Sequence, residues 1–186
     1  LGGRPLRPGD ALPIGAAAAH AAPGLRWPPA QRPRYAATPA LRFVPGPHLA
    51  CLAADALEQL AGAALRVSAT SNRMGYRLDG LALPHARPCS LPSLGVIPGC
   101  IQVPPDGAPI LLLADAQTTG GYPLAGTVIA ADLPLAAQLL PGDALRLAPV
   151  TLDAALAARR EHEAARSAPL DADDGDLLAW VAGALG

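Results

Sequence analysis

Ile101-Gln102-Val103-Pro104-Pro105-Asp106-Gly107-Ala108-Pro109-Ile110-Leu111-Leu112-Leu113 is the stretch on which the fold class turns. Two short apolar runs flank Pro-Pro-Asp-Gly. Proline fixes φ and removes a backbone donor, and Asp-Gly supplies turn chemistry, so the stretch is a β-hairpin. The same grammar repeats outward. Leu41-Arg42-Phe43-Val44 is a strand stopped by Pro45-Gly46-Pro47, and Leu65-Arg66-Val67-Ser68-Ala69 alternates with period two. Tyr76-Arg77-Leu78-Asp79-Gly80, Thr127-Val128-Ile129-Ala130 and Ala144-Leu145-Arg146-Leu147 are further strands, the last preceded by a Pro141-Gly142-Asp143 turn. Leu52, Leu57 and Leu60 fall at helical spacing before Gly62, and residues 133–139 suit a short helix. Short strands separated by turn residues imply a small barrel or sandwich over residues 41–150.

The flanks differ. Residues 1–40 are rich in Arg, Pro, Gly and Ala. They are expected to be the end of a preceding unit and a linker, with a turn at residues 6–10 feeding a short strand. The chain opens on Leu1 rather than Met, as a piece of a longer protein would. Residues 151–186 are expected to be a helical tail. Thr151 caps a first helix with Leu152, Leu156 and Ala157 on its apolar stripe, and residues 176–185 form a second around Leu177, Trp180 and Leu185.

The 186 residues carry a net charge of −1, and all 14 basic residues are Arg. With no basic cluster, neither nucleic acid nor an anionic membrane is an expected partner. No apolar run reaches the ~20 residues that span a bilayer, and a cytoplasmic protein is expected. Cys51, Cys89 and Cys100 are odd in number and lack CxxC spacing. They are expected as three buried or half-buried thiols in a reducing compartment, with no disulfide and no metal. His48 and His85 each follow a proline and are expected at the surface. No phosphate loop and no nucleophile–base pair is present, so no catalytic residue is assigned.

Polar residues gather against glycines in three segments. In Ser71-Asn72-Arg73-Met74-Gly75-Tyr76-Arg77, Arg73 and Arg77 face one side if the segment is extended, where two guanidiniums suit a carboxylate or phosphate. In the second segment, Gln102 sits in an apolar strand. It needs a partner if it points inward, and strand alternation equally permits it to face outward. The third, Asp115-Ala116-Gln117-Thr118-Thr119-Gly120-Gly121-Tyr122-Pro123, sets amides, hydroxyls and free N–H groups in a loop able to bind an anion, an amide or a ureido group. The three segments are expected to meet in one cleft.

Together these segments, with Ala131-Asp132-Leu133 and Leu140-Pro141-Gly142-Asp143, resemble the biotin-dependent carboxyltransferase family, which includes the 5-oxoprolinase C subunit, KipA-like proteins and the allophanate hydrolase subunit 2 domain. The resemblance covers roughly residues 1–150, the C-terminal half of a family chain. It implies a mainly β fold, a cyclophilin-like β-barrel with a few short helices. It further implies one component of an ATP-dependent 5-oxoprolinase, silent alone, that acts with a KipI-like B subunit and an amidohydrolase-like A subunit. ATP would enter at the level of the complex, and no metal is implied. A small amide or lactam would lie among Asn72, Arg73, Gln102, Gln117, Thr118, Thr119, Gly120 and Tyr122, with Arg73 on its carboxylate or on a developing phosphate. The first alternative is carboxyl transfer to urea or a similar amide. Biotin would then be carried by a partner, because the chain has no lysine. The second is a non-enzymatic module that binds a KipI-like protein. Leu94 and Leu124, which replace an acid and a base usual in the family, favour that alternative.

Overall fold

The computed structural model describes residues 4–13, 15–16, 25–29, 32–86, 89, 91–167 and 171–172. The chain divides into two units, Leu1–Ala30 with Pro169–Gly186, and Gln31–Ala168. In the first, strand β1 (Leu25–Arg26) pairs antiparallel with a C-terminal two-residue strand, Asp171–Ala172. The turn expected at residues 6–10 is present. Asp10 accepts a two-pronged hydrogen bond from the Arg4 guanidinium (2.7 and 2.8 Å) and a third from the Arg7 N–H. The Arg4 fork, helped by the Arg7 N–H, holds the Asp10 carboxyl below its ordinary pKa. No strand follows this turn at residues 11–13. The second tail helix, at 176–185, lies outside the described residues.

The second unit is a closed barrel. Its strands are β2 (Ala40–Pro45), β3 (Leu65–Val67), β4 (Gly75–Asp79), β6 (Cys100–Gln102), β7 (Ile110–Leu112), β9 (Leu124–Val128) and β10 (Ala144–Pro149). Between them run β5 (Leu94–Gly95) and β8 (Thr119–Gly120), which pair only with each other. The strand paired with β1 is β11 (Asp171–Ala172). Around the barrel the order is β10, β2, β9, β6, β7, β4, β3 and back to β10. The hairpin read from the Pro-Pro-Asp-Gly turn is β6–β7, with Ile101 opposite Leu111. Every pairing is antiparallel except β10 with β2, where Leu147 lies beside Leu41. Closure removes the sheet edges that a sandwich would leave.

Alternation decides which side chains enter the barrel. Leu41, Phe43, Leu65, Val67, Tyr76, Leu78, Ile101, Leu111, Leu145 and Leu147 point inward and are buried. Arg66, Arg77 and Arg146, their neighbours, point out. Helix α1 (Ala56–Gly62) holds Leu57 and Leu60 of the expected helical spacing, while Leu52 lies outside it, just after a 3-10 turn over Leu49–Cys51. It buries Ala56 and Leu60, four residues apart on one face, in the same core. Helix α2 (Leu133–Ala136) follows another 3-10 turn, Ala130–Asp132. Helix α3 (Leu152–Arg166) starts as expected, with the Thr151 hydroxyl accepting from the Ala154 N–H (3.2 Å), and buries only Ala158.

Asp132 fixes α2 to the barrel wall. Its side chain is buried, and it accepts from the Arg42 N–H (2.7 Å), from Nε (3.0 Å) and from Nη2 (2.7 Å). The pairing raises the Arg42 pKa above its ordinary value. Removing the carboxylate strands a partly buried backbone donor and a half-exposed guanidinium. Asp132→Ala is therefore expected to destabilise the chain by ~2–4 kcal/mol in urea unfolding. A loss below ~1 kcal/mol would mean that water already screens the fork.

The cysteines depart from expectation. Cys51 and Cys89 form a disulfide, with Cα atoms 6.0 Å apart, and only Cys100 is free, buried in the wall. The cause is tertiary. The Ala86 N–H donates to the Cys51 carbonyl, the Ala53 N–H donates to the Pro84 carbonyl, and Leu52 bridges His85. These contacts lay two segments together that are 38 residues apart in sequence. The two histidines also depart from the surface. His48 Nδ1 accepts from the Leu124 N–H (3.2 Å), and His85 Nε2 lies 3.0 Å from the Val103 carbonyl. Both are half-buried and spent on backbone.

Candidate functional site

The site lies on the outside of the barrel. On β6 the residues flanking Ile101 face away from the core. Cys100 and Gln102 are nevertheless buried, because the β5–β8 ribbon and the loop leading to Tyr122 cover them. The covering is held by the Val96 N–H on the Thr118 carbonyl (2.9 Å) and the Val103 N–H on the Pro123 carbonyl (2.9 Å). Val96, Cys100 and Leu112, with Ile110, Ala116 and Leu124 beside them, form a small second apolar cluster beneath it. The two openings that strand alternation left for Gln102 are thus both partly met, since the side chain faces outward and is still buried.

Beside this cluster is a cavity of about 280 Å³. Thr70, Asn72, Met74, Gly75 and Arg77 come from the first polar segment and its approach, Gln102 from the second, and Gln117 and Tyr122 from the third. Ile110 and Leu112 of β7 complete the lining. Each of the three segments therefore contributes residues to this cavity. Gln102 is 2% exposed, and its Oε1 accepts from Gln117 Nε2 (3.3 Å). Its own Nε2 is buried and has no hydrogen-bond partner among the described residues. Gly120 lies directly over that amide, where a Cβ would collide with Nε2, so only glycine leaves the amide its place.

The expected residues separate into two groups. Asn72, Gln102, Gln117 and Tyr122 share this cavity, with Gly120 over Gln102. Thr118 and Thr119 are exposed and are not in the lining; Thr119 is spent pairing with Gly95 in the ribbon. Arg73 also lies elsewhere. Residues 72–75 close a tight turn, with Asn72 Oδ1 accepting from the Met74 N–H (2.9 Å) and Asn72 bridging Gly75. The segment is not extended, so Arg73 and Arg77 diverge. Arg73 pairs with Asp115 (3.1 Å) at the rim of a second, mostly apolar cavity of about 450 Å³. Tyr76 and Leu139 line that second cavity, joined by the Tyr76 hydroxyl donating to the Leu139 carbonyl (2.8 Å), and burial pushes the Tyr76 phenol pKa up. Among the described residues, Arg77 is the cation that shares the cavity with Gln102. Its place on the outer face follows from strand alternation once the turn at 72–75 is recognised.

Leu94 and Leu124 lie in the strands around Gln102. Leu94 is the register partner of Gly120, and Leu124 is the register partner of Gln102. Leu124 also packs on the small apolar cluster of Val96, Cys100 and Leu112. The lining offers donors, acceptors and one cation around an apolar floor. That arrangement can grip a small planar amide and orient it.

The second unit is thus a closed β-barrel with a cavity on its outer wall, beside the β5–β8 ribbon. Residues 1–149 match the family described as carboxyltransferase domain, subdomain A and B, and the chain belongs to that family. It is 36% identical over 168 residues to the 5-oxoprolinase C subunit of Escherichia coli (strain K12), covering 88% of this chain and 51% of that one. It is 44% identical over 97 residues to the 5-oxoprolinase C subunit of Haemophilus influenzae, covering 52% of this chain and 31% of that one. The chain thus spans about half the length of the E. coli relative. Among solved structures, the K. lactis urea amidolyase superposes with a TM-score of 0.68 at 23% identity, over 74% of this chain and 9% of that one, and shares its fold.

Proposed function

We propose that this chain is the lactam-binding part of a 5-oxoprolinase C subunit. In this reading it works with a KipI-like B subunit and an amidohydrolase-like A subunit in the cytoplasm, where ATP hydrolysis drives the opening of 5-oxoproline to glutamate. The observation that carries the reading is the buried Nε2 of Gln102, unpartnered among the described residues, on a side chain that lines the cavity. A buried donor left unsatisfied costs ~1–3 kcal/mol, and a ligand carbonyl removes that cost. Gln117, Asn72 and Tyr122 supply the remaining polar contacts around a flat ring. The names of the E. coli and H. influenzae relatives support the same reading.

The chain supplies recognition, and phosphate transfer falls to its partners. The purified chain is accordingly expected to show no 5-oxoproline-dependent ATP hydrolysis. Activity should appear when the A and B subunits and the remainder of the C subunit are added. Turnover by the chain alone, or its absence from the complete assembly, would overturn the proposal. The family's description favours carboxyl transfer as a second reading. The same amide wall suits a ureido group, and biotin would arrive on a partner. Formation of a carboxylated amide rather than glutamate in the assembly would select it.

A further inference from the structure

We infer that Arg77 is the specificity-determining residue of the Gln102 cavity, and that it selects amides bearing a carboxylate across a short apolar spacer. The inference rests on the proposal that this cavity binds an amide. It comes from the register of three strands. Arg77 on β4 lies opposite Ile110 on β7, and Gln102 on β6 lies opposite the same Ile110. Directly opposed residues project from the same face of a sheet. Arg77, Ile110 and Gln102 therefore form one row across the outer wall, with the end positions two strand spacings, roughly 10 Å, apart at Cα. All three line the cavity. One end of the row is an amide with a buried unpartnered donor, the middle is apolar, and the far end is a guanidinium. A ligand matching that row has a carbonyl at one end, methylenes in the middle and an anion at the other.

The guanidinium is available for exchange. Its counterion is Asp106 in the β6–β7 turn, through a single long contact of 3.4 Å between two half-exposed side chains. Such a pair is worth little in water. Asp106 is itself engaged, since its Oδ1 accepts from the Ala108 N–H (3.1 Å). A ligand carboxylate inside the cavity can take two parallel bonds from the guanidinium where Asp106 takes one. Asp106 then acts as the internal competitor that holds Arg77 over the cavity when no ligand is present. Arg73, paired with Asp115 beside the other cavity, takes no part.

The test uses three probes on the full chain, with binding followed by NMR titration. The probes are 5-oxoproline, 2-pyrrolidinone, which is the same lactam without the carboxylate, and N-acetylglycine, an open-chain amide with one. The carboxylate-bearing amides are expected to bind roughly tenfold to hundredfold more tightly than 2-pyrrolidinone, the worth of a charge-assisted bond. Arg77→Gln should bring that preference to within about twofold and leave 2-pyrrolidinone unchanged, since only the charge-assisted contact is removed. Asp106→Asn keeps the Ala108 contact, removes the competing charge and should tighten the carboxylate probes a few-fold. Arg73→Gln, an equal change of charge outside the cavity, should alter nothing, which separates a specific contact from a general field. A carboxylate preference that survives Arg77→Gln would overturn the assignment. Binding of N-acetylglycine but of neither lactam, with the same Arg77 dependence, would support Arg77 and sink the 5-oxoproline reading. No binding of any carboxylate-bearing amide would overturn both.

Discussion

Gln102→Leu is expected to weaken capture of the amide about tenfold to hundredfold while leaving the chain at least as stable as before. Gln102 is held in an apolar setting, with Leu124 as its register partner and Gly120 over it. Its Nε2 has no partner among the described residues, so the side chain is a cost the fold carries. Leucine matches the apolar neighbours and removes the orphan donor, which should raise the unfolding free energy by ~1 kcal/mol. The only group that loses a bond is the Gln117 amide, which is exposed and returns to water. For a bound amide the change runs the other way. Its carbonyl would be buried against a methyl group, costing ~1–3 kcal/mol, or about tenfold to hundredfold in affinity. Urea unfolding and ligand titration on the same variant check both halves. A variant that loses stability and keeps its ligand would show that Gln102 is a structural residue. Stability given up at a site that gains function is the usual signature of a binding residue.

The largest loss of stability is expected from a residue remote from the chemistry of the cavity. Gly46 follows β2, and its N–H donates to the Ala125 carbonyl of β9 (2.8 Å). A Cβ there would run into the Leu124 carbonyl oxygen, with Gly126 N at 2.9 Å and Ala125 C at 3.0 Å. All three are backbone atoms of one strand, so no rotamer change relieves the clash. Gly46→Ala must push β2 from β9 and open the barrel seam. Overpacking against side chains costs ~1–3 kcal/mol, and against an immovable strand ~3 kcal/mol or more. Domains of this size lose about 2–4 °C of Tm per kcal/mol, so a fall of roughly 6–12 °C is expected. Because Leu124 begins the strand opposite Gln102, the cavity should loosen too. Gly62→Ala is the control. Gly62 ends α1 with nothing within 4 Å of where an added methyl would sit, and alanine there favours helix. An unchanged Tm for Gly46→Ala would show that the seam yields more easily than its backbone contacts imply.

The barrel was legible because its signals are local. Proline, glycine and aspartate at positions 104–107 set the β6–β7 turn, and period-two alternation in Leu65-Arg66-Val67 and Tyr76-Arg77-Leu78 marks which faces are inside. The Thr151 cap belongs to the same class, as one side chain and a backbone donor three residues on. The meeting of Asn72, Gln102 and Gln117 was expected from three polar segments set against glycines, since polar residues between apolar strands need a partner or a solvent-filled space. By itself, then, the sequence determined the short strands of a small barrel or sandwich and the three polar segments, because turns, alternation and capping act within a few residues, while closure into a barrel was implied by the family resemblance and decided by the tertiary structure. The tertiary structure decided what depends on how distant segments lie together. It turned Arg73 away and Arg77 in, because the 72–75 turn is stabilised by its own Asx bond and by the strands on which it lands. It buried an outward-facing Gln102 beneath a ribbon drawn from residues 94–95 and 119–120, and it joined Cys51 to Cys89 across 38 residues. Those outcomes follow from long-range backbone hydrogen bonds and strand register, which no local pattern encodes.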